Sequence, residues 1–509
     1  MAKRAKQTLQ KRKEKPRPPD EHPEGITVKK SDFSEWYTQV VQKAELADIR
    51  YNVKGFIVFR PWAVLAMDRM FDLFELELQK KGHSPVLFPA VIPQSNFNLE
   101  AEHVEGFLPE VFWVTEVGSE GKKLDERLAL RPTSETAMYK TYSQWIRSWR
   151  DLPLKLYQRC QVWRYETKAT RPFIRSREFY WIEAHDAFAS EKDAVKQVEE
   201  DMQITEAVIH RKFCIPFLFF ERPEHDKFPG AVHTYAADTV MPDGKVLQLP
   251  STHLLGQNFS KPFNVKFVDR DEEEKYAWQT CYGPCVSRIF AAVVSLHGDD
   301  RGLVMPPAIA PVQAVIVPIY NDKTKKRVLK KARELHGQLA GAGIAARLDS
   351  REEYTPGWKF NEWEVKGVPL RLEIGPRDMK QRQVVLVRRD TGKKSVVKEN
   401  AVVKSAQKIL DSIQLALMKN ADKLFKAGIR NAKNKEELKT ILNEKGGLVK
   451  ISWCGDKACA DTIKTETAGG VIRGTLFGKG QGMKREKATG KCVWCGKSAK
   501  ESVYISKQY

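Results

Sequence analysis

Apolar side chains recur at helical spacing from Pro61 onward, at Val64, Leu65, Phe71, Phe74 and Leu78, and the run stops at Gly82. A proline at the first helical position and a glycine just past the last predict one amphipathic helix between them. The apolar run Val86 to Phe88 predicts a short strand next. From there to about Pro307, β-rich aromatic segments mix with helical ones, the pattern of an α+β domain built on an antiparallel sheet. Pro306, Pro307 and Pro311 punctuate a boundary. Beyond it Val312 to Ile319 reads as a strand, Thr324 to Leu339 as a helix and Val384 to Val387 as a strand, a small α/β domain ending near residue 400. A long helical pattern, Ala401 to Lys419, opens the remainder, a small α+β unit that finishes on paired cysteines. The expected division is an arm at 1–25 and units at 26–307, 308–402 and 403–509.

With 509 residues, 42% of them hydrophobic, the chain can bury several cores. Lys and Arg number 86 against 65 Asp and Glu, a net charge of +21 spread along the sequence. Such a field draws polyanions, nucleic acid foremost, although a generically basic protein carries the same balance. No stretch reaches the roughly 18 uncharged apolar residues of a membrane span, and no apolar signal-peptide segment opens the sequence. A soluble, unexported, cytoplasmic protein is the expectation. Residues 1–25 mix prolines with Lys3, Arg4, Lys6, Lys11, Arg12, Lys13, Lys15 and Arg17. A basic arm with so little to bury is expected to be disordered, as an RNA contact, a targeting signal or a solvated tail. Eight cysteines do not make a disulfide scaffold at this length, and four fall between Cys454 and Cys495.

Chemistry enters with Arg164-Tyr165-Glu166 and Arg175-Ser176-Arg177-Glu178-Phe179, which put two arginines on what read as adjacent antiparallel strands around a loop carrying Lys168 and Arg171. A guanidinium presents a fixed fork of donors to phosphate oxygens, as an enzyme holding a triphosphate requires, while arginines on strands also make plain surface ion pairs.

These motifs resemble the class II aminoacyl-tRNA synthetases. Arg-x-Glu, a loop, then Arg-x-x-x-Phe is similar to motif 2 of that class, Gly82 through Pro89 to motif 1, and Arg288 before an apolar helix to motif 3. Within the class, Arg131-Pro132-Thr133-Ser134-Glu135-Thr136, Trp181-Ile182-Glu183-Ala184-His185 and Leu255-Gly256-Gln257-Asn258-Phe259-Ser260 resemble the prolyl-tRNA synthetases. Pro356-Gly357-Trp358-Lys359-Phe360 and the run Gly367 to Asp378 resemble their anticodon-binding domain. The resemblance, over roughly residues 30–509, implies a homodimer joined through motif 1 that activates proline with ATP and Mg²⁺ and loads it onto tRNA.

Residue by residue, the resemblance implies that Thr133 and Glu135 take the proline ammonium and Arg164 its carboxylate, with Phe179, Trp181, Glu183, His185 and His253 enclosing the ring. Read alone, His185 and His253 are core histidines with satisfied nitrogens, and only the surrounding motifs turn them toward pocket roles. For ATP it implies Arg164 and Arg175 on the phosphates, Glu166 and Phe179 near adenine, Gln248 and Ser251 near ribose, and Arg288 on the far phosphate or base. Val286 departs from the family, which carries a hydroxyl there. The stretch from His185 to Gln248 is too short for the large editing domain of many bacterial prolyl enzymes, so clearing mischarged alanine would need another protein. Thr133-Ser134-Glu135 replaces the threonyl enzymes' Met-Asn-Cys, and no catalytic metal is expected. Threonyl or glycyl synthetases, and a tRNA-binding regulator without activating chemistry, are the alternatives.

In the α/β domain Arg347, Lys359, Glu362, Arg371, Glu373 and Arg377 are candidates to read anticodon bases, with Trp358 or Phe360 for stacking, and several are expected to be plain surface or core residues. Cys454 and Cys459 in C-x₄-C, with Cys492 and Cys495 in C-x₂-C, form two knuckles able to converge four thiolates on a structural zinc, free or oxidised thiols being the other reading. The resemblance agrees with zinc, since archaeal and eukaryotic prolyl enzymes end in a zinc domain and a tyrosine, here Tyr509. Cys281 and Cys285 lack a second pair and read as pocket-lining or core thiols.

Overall fold

Pro61 takes the first position of the helix Pro61–Lys80, and Gly82 follows its end at φ +86°, a left-handed turn that glycine adopts without strain. Its buried stripe, Trp62, Ala66, Met70, Phe74 and Leu78, repeats at i, i+4 and packs against the helix Val286–His297. Val64 and Leu65, expected on that stripe, face outward, because this helix is apolar on a second side as well. The next strand is Ser84–Pro85, paired in parallel with Leu154–Trp163, and not Val86 to Phe88. Val86 still bonds Tyr157, but Phe88 N–H donates to the side chain of Gln158, which ends the ladder.

The computed structural model describes residues 25–98, 111–166, 169–477, 488 and 490–509. The expected basic arm, Gly25 apart, and Lys168 lie outside the described residues. An eleven-stranded sheet carries the fold, in the order Ile429–Asn431, Leu448–Trp453, Glu501–Ser506, Val471–Phe477, Leu218–Glu221, His233–Val240, Val246–Gly256, Trp278–Gly283, Glu178–Phe188, Leu154–Trp163 and Ser84–Pro85. All pairings from Leu448–Trp453 to Leu154–Trp163 are antiparallel. The last four strands of the chain thus extend the central sheet, joined where Thr475, Leu476 and Phe477 pair with Glu221, Phe220 and Phe219.

A second, five-stranded sheet has Ala314–Pro318 parallel to Ala346–Leu348 and Leu370–Ile374, then Gln383–Arg388 and Lys394–Lys398 antiparallel. It buries its own core with the helices Lys325–Gly341 and Val402–Ala427. The expected strands and helices of this region are present with bounds moved by a few residues, as frayed ends usually are. Among the described residues, the chain between Glu178–Phe188 and Val246–Gly256 holds the helix Glu191–Thr205 and two sheet strands, with no inserted domain.

Buried polar groups tie the helices to the sheet. The two ring nitrogens of His83 lie 3.1 Å from Leu78 O and 3.1 Å from Asp186 Oδ2. On the helix Glu191–Thr205, Asp201 accepts from Gln197 Nε2 (2.7 Å) and Thr252 Oγ1 (2.6 Å). Burial, reinforced by the charge of Asp186, pushes the Asp201 carboxyl from 3.8 up to about 7. A raised carboxyl stabilises the fold fully below its unfolded value, and that contribution is lost as pH climbs through the folded one. The thermal midpoint of the native protein should therefore fall relative to that of Asp201→Asn between pH 3.8 and about 7, then run level with it. Parallel curves for the two proteins would mean that Asp201 is ionised throughout.

Candidate functional site

Strand alternation builds one wall of the principal cavity. Residues two apart on a strand share a face, so Phe179, Trp181, Glu183 and His185 project together from Glu178–Phe188. Neighbouring strands add to that face in register, Cys281 opposite His185, His253 opposite Cys281 and Thr234 opposite His253. These side chains line a cavity of about 270 Å³ with Thr133, Glu135, Arg164, Gln248, Ser251, Cys285 and Arg288.

Glu183 is buried on this face, which is costly for a carboxylate without donors. Thr133 Oγ1 donates to its Oε1 (3.2 Å) and Gln158 Nε2 to its Oε2 (3.3 Å). Burial alone would raise the Glu183 carboxyl, but His185, Ser134 and the charge of Arg131 outweigh it and hold it below its ordinary value. Burial disfavours charge on His185 too, yet the carboxylates of Glu183, Glu135 and Asp186 raise its pKa. His185 Nδ1 lies 3.0 Å from the Tyr139 hydroxyl, and Nε2 lies 3.7 Å from Glu183 Oε2. His253 is held neutral: burial first, then the charges of His185 and Arg222, bring it down to about 3. Thr234 Oγ1 and Ser251 Oγ take its nitrogens at 2.9 and 3.0 Å.

Glu135 opens the helix Glu135–Trp145, where the N-terminal dipole favours an acid, and it accepts from Thr133 Oγ1. The loop ahead of it is pinned by the buried Arg131, whose guanidinium donates to Gln161 O (2.9 Å) and Phe88 O (2.8 Å). Arg164 Nε donates to Pro132 O (2.9 Å), and its guanidinium lies over Phe179 and Trp181 at 5.4 and 5.5 Å from the ring centroids. The cavity therefore sets aromatic rings and the carboxylates of Glu135, Glu183 and Asp226 beside the cations Arg164, Arg222, Lys227 and Arg288.

Two expectations are corrected by this geometry. Arg164 and Arg175 stand beyond the ends of their strands, in the hairpin loop, where Pro172 and the left-handed Phe173 (φ 63°) break the ladder. Arg288 lies inside the first turn of Val286–His297 and not before it. Glu166 and Arg175 do not line the principal cavity. They pair at 2.7 Å, Arg175 Nη2 donates to the main-chain oxygen of Tyr509 (2.6 Å), and Arg175 lines a neighbouring cavity with Arg171, Lys245 and Tyr509. Next to Val286, Ser287 Oγ meets the Tyr180 backbone at 3.4 and 3.5 Å, which supplies a hydroxyl one position on.

The anticodon candidates divide. Lys359 is buried, its ammonium donating to Asp349 O (3.2 Å) and to Arg351 O. Glu362 pairs with Arg351 and, at 2.8 Å, with Lys366. Glu373 is buried against Arg371 at 2.9 Å. Arg371 lies over Phe360 (4.2 Å), and the two line a cavity of about 150 Å³ with Arg388, Arg389 and Lys394. Arg347 and Arg377 are exposed, and Trp358 stacks on Tyr354 at 3.8 Å.

The four C-terminal cysteines converge. Cys459 Sγ is 3.9 Å from Cys492 Sγ, Cys495 Sγ is 3.6 Å from Cys454 Sγ, and all four sulfurs lie within 4.8 Å of one another. Thiolates about 2.3 Å from a tetrahedral zinc stand about 3.8 Å apart, so this donor set fits that ion.

Sequence reading missed a buried clamp at the edge of the cavity. Asp238 accepts from Arg222 Nη1 and Nη2 (2.9 and 2.8 Å) and from Arg473 Nε and Nη2 (2.8 and 2.8 Å), while Arg222 Nη2 also donates to Gln248 Oε1 (3.0 Å). The available signal was an aspartate and an arginine each inside an otherwise apolar strand, Asp238 after Ala236-Ala237 and Arg473 after Val471-Ile472.

The family described as tRNA synthetase class II core domain (G, H, P, S and T) matches residues 112–297, the anticodon binding domain matches 313–409, and prolyl-tRNA synthetase, C-terminal matches 435–509. The chain is 54% identical over 488 residues to the proline–tRNA ligase of Thermofilum pendens, covering 96% of this chain and 99% of that one. It is 42% identical over 481 residues to that of Pyrococcus horikoshii, covering 94% and 98%. Among solved structures, Giardia lamblia prolyl-tRNA synthetase in complex with prolyl-adenylate superposes with a TM-score of 0.89 at 35% identity, covering 95% of this chain and 100% of that one.

Removing one partner of a buried ion pair costs about 3–5 kcal/mol, because the other charge stays behind without compensation. Asp238→Ala should lower unfolding free energy by about that amount, read as the denaturant midpoint at constant slope. A change well under about 1 kcal/mol would show that the clamp contributes little.

Proposed function

The chain belongs to the prolyl-tRNA synthetases, and from that membership we infer how its cavity serves the two steps of the reaction, ATP-dependent activation of proline and transfer of the prolyl group to tRNA. One observation carries the reading: Phe179, Trp181, Glu183 and His185, projecting from a single strand face, share a cavity with Glu135 and Arg164. Proline brings a secondary ammonium, a carboxylate and an apolar ring. Thr133 and Glu135 accept from the ammonium, Arg164 holds the carboxylate, and Phe179, Trp181, Glu183, His185 and His253 close around the ring.

Activation requires no protein nucleophile. A proline carboxylate oxygen attacks the α-phosphorus of ATP in line, the new O–P bond forms as the bond to pyrophosphate breaks, and prolyl-adenylate remains. Arg164 stabilises the charge on the α-phosphate, Gln248 and Ser251 hold the ribose, and Arg288 meets the far phosphate or base. Mg²⁺ arrives with the nucleotide as its counter-ion. Glu166 and Arg175 act on the nucleotide from the hairpin loop, which requires Arg175 to exchange the Tyr509 oxygen for phosphate. A hydroxyl of the tRNA 3′-terminal adenosine then attacks the prolyl carbonyl, and AMP leaves.

Further assignments rest on the same reading. Catalysis belongs to 26–307, anticodon binding to 308–402, with Arg347 and Arg377 the exposed contacts, Arg371 and Phe360 partly accessible and Lys359, Glu362 and Glu373 shaping them, and zinc binding to 403–509. The zinc is structural, held by Cys454, Cys459, Cys492 and Cys495. The protein works as a homodimer through the helix Pro61–Lys80 and the segment Gly82 to Pro89, supported by the exposed apolar side chains Leu65 (51%), Leu76 (49%) and Leu87 (76%). It works in the cytoplasm, in keeping with the finding that, among the described residues, no helix is long and apolar enough to cross a membrane.

Purified protein should catalyse proline-dependent ATP–pyrophosphate exchange and give none with threonine or glycine. Arg164→Ala should cut kcat by about 10²–10³ with an unchanged circular dichroism spectrum; activity within about threefold of the native enzyme would remove Arg164 from the phosphate. Chelation should lower the thermal midpoint and added zinc restore it. An unmoved midpoint in protein proven metal-free would sink the zinc assignment.

A further inference from the structure

Inside the cavity, three donors of three chemistries face one another. A carboxylate oxygen of Glu135, a ring nitrogen of His185 and Sγ of Cys281 lie within 4.8 Å of one another, and all three side chains are buried. The sheet register sets two of them, since Cys281 stands directly opposite His185, and the first turn of the helix Glu135–Trp145 brings the third. A second observation singles out His185. Its Nδ1 is engaged by the Tyr139 hydroxyl at 3.0 Å, whereas Nε2 has no hydrogen-bond partner among the described residues, although the ring is 1% exposed. A buried nitrogen with no hydrogen bond, its nearest anion Glu183 Oε2 at 3.7 Å, oriented by a hydroxyl on its other nitrogen, is the arrangement of a metal-binding imidazole.

We propose that Glu135, His185 and Cys281 form a second metal site, selective for a zinc-class divalent cation, whose occupation excludes the amino acid from the cavity. Nitrogen, thiolate and carboxylate together suit a borderline-soft ion and not Mg²⁺, which prefers oxygen alone. Three protein ligands leave a fourth coordination position open toward the cavity. Bond lengths of about 2.0–2.3 Å imply ligand separations near 3.5 Å, which donors already within 4.8 Å of one another reach by side-chain adjustment when the ion binds. As the ion enters, Cys281 gives up its thiol proton to solvent and a charged His185 its Nε2 proton, while Nδ1–H stays on the Tyr139 hydroxyl; no other covalent bond is broken. The exclusion, unlike the binding, rests on the placing of proline proposed above: an ammonium and a dication compete for the single carboxylate of Glu135.

The test uses full-length protein whose four-cysteine cluster is first filled with zinc, titrated with Co²⁺ in the absence of nucleotide. A second equivalent should bind with thiolate-to-cobalt charge-transfer absorption. Cys281→Ser should lack that band and bind the ion at least about tenfold more weakly, with Cys281→Ala as the companion should the serine variant not fold. In pyrophosphate exchange, Zn²⁺ should raise the KM for proline and leave kcat unchanged, and Cys281→Ser, measured against its own metal-free KM, should need about tenfold more zinc for the same effect. No second equivalent, or equal inhibition of both proteins, overturns the site. A charge-transfer band that survives saturating proline while exchange proceeds overturns the exclusion. Absence of proline-dependent exchange in metal-free protein would defeat the placing of proline and leave the cobalt comparison to decide the binding by itself.

Discussion

A carboxylate buried on the face of a sheet must find donors on that same face, and Glu183 sets this condition for the whole site. Strand alternation fixes which residues share its side, and the register with Leu154–Trp163 puts Gln158 directly across from it. Thr133 and His185 complete its surroundings. Thr133 is available only because Arg131 pins the loop before the helix Glu135–Trp145, so the position of Glu135 follows from the same requirement. The groups proposed to enclose proline are thus ones that the fold needs in order to bury a negative charge at all.

The same logic operates at the opposite edge, with the signs reversed. Asp238 is the one anion between two buried guanidinium groups, Arg222 facing the cavity and Arg473 arriving from the last quarter of the chain. Through Gln248, which accepts from Arg222, a residue expected at the ribose is linked by way of Asp238 to a strand that belongs to the four-cysteine unit. The two units are consequently one sheet and share one electrostatic balance, which a division by sequence interval does not convey.

Much of this was legible in the sequence where the signal is local. Pro61 and Gly82 marked a helix because backbone geometry at those positions admits little else, whereas Phe179, Trp181, Glu183 and His185 were grouped only through the family resemblance, and the strand then puts all four on one face. What depended on distant partners was not. Lys359 looked like a base-reading cation and is a buried donor to the loop Asp349 to Arg351, since the charge of a lysine says nothing of the carbonyls around it. Arg175, expected at the phosphates, is engaged here by Glu166 and Tyr509, the latter from the far end of the sequence, a pairing that no local signal announced. Val64 and Leu65 counted toward a core stripe, yet apolarity alone does not tell a face turned inward from one turned toward another surface.

The junction between Leu218–Glu221 and Val471–Phe477 also has a consequence for how the protein is made. During synthesis the first of these strands, rich in phenylalanine, leaves the ribosome long before its neighbour exists. Until then its outer row of amide and carbonyl groups is an open, sticky border of the nascent sheet, the kind of border on which strangers pair. Its safety rests on the order of translation: the growing polypeptide must wait for its own tail before that border can be sealed.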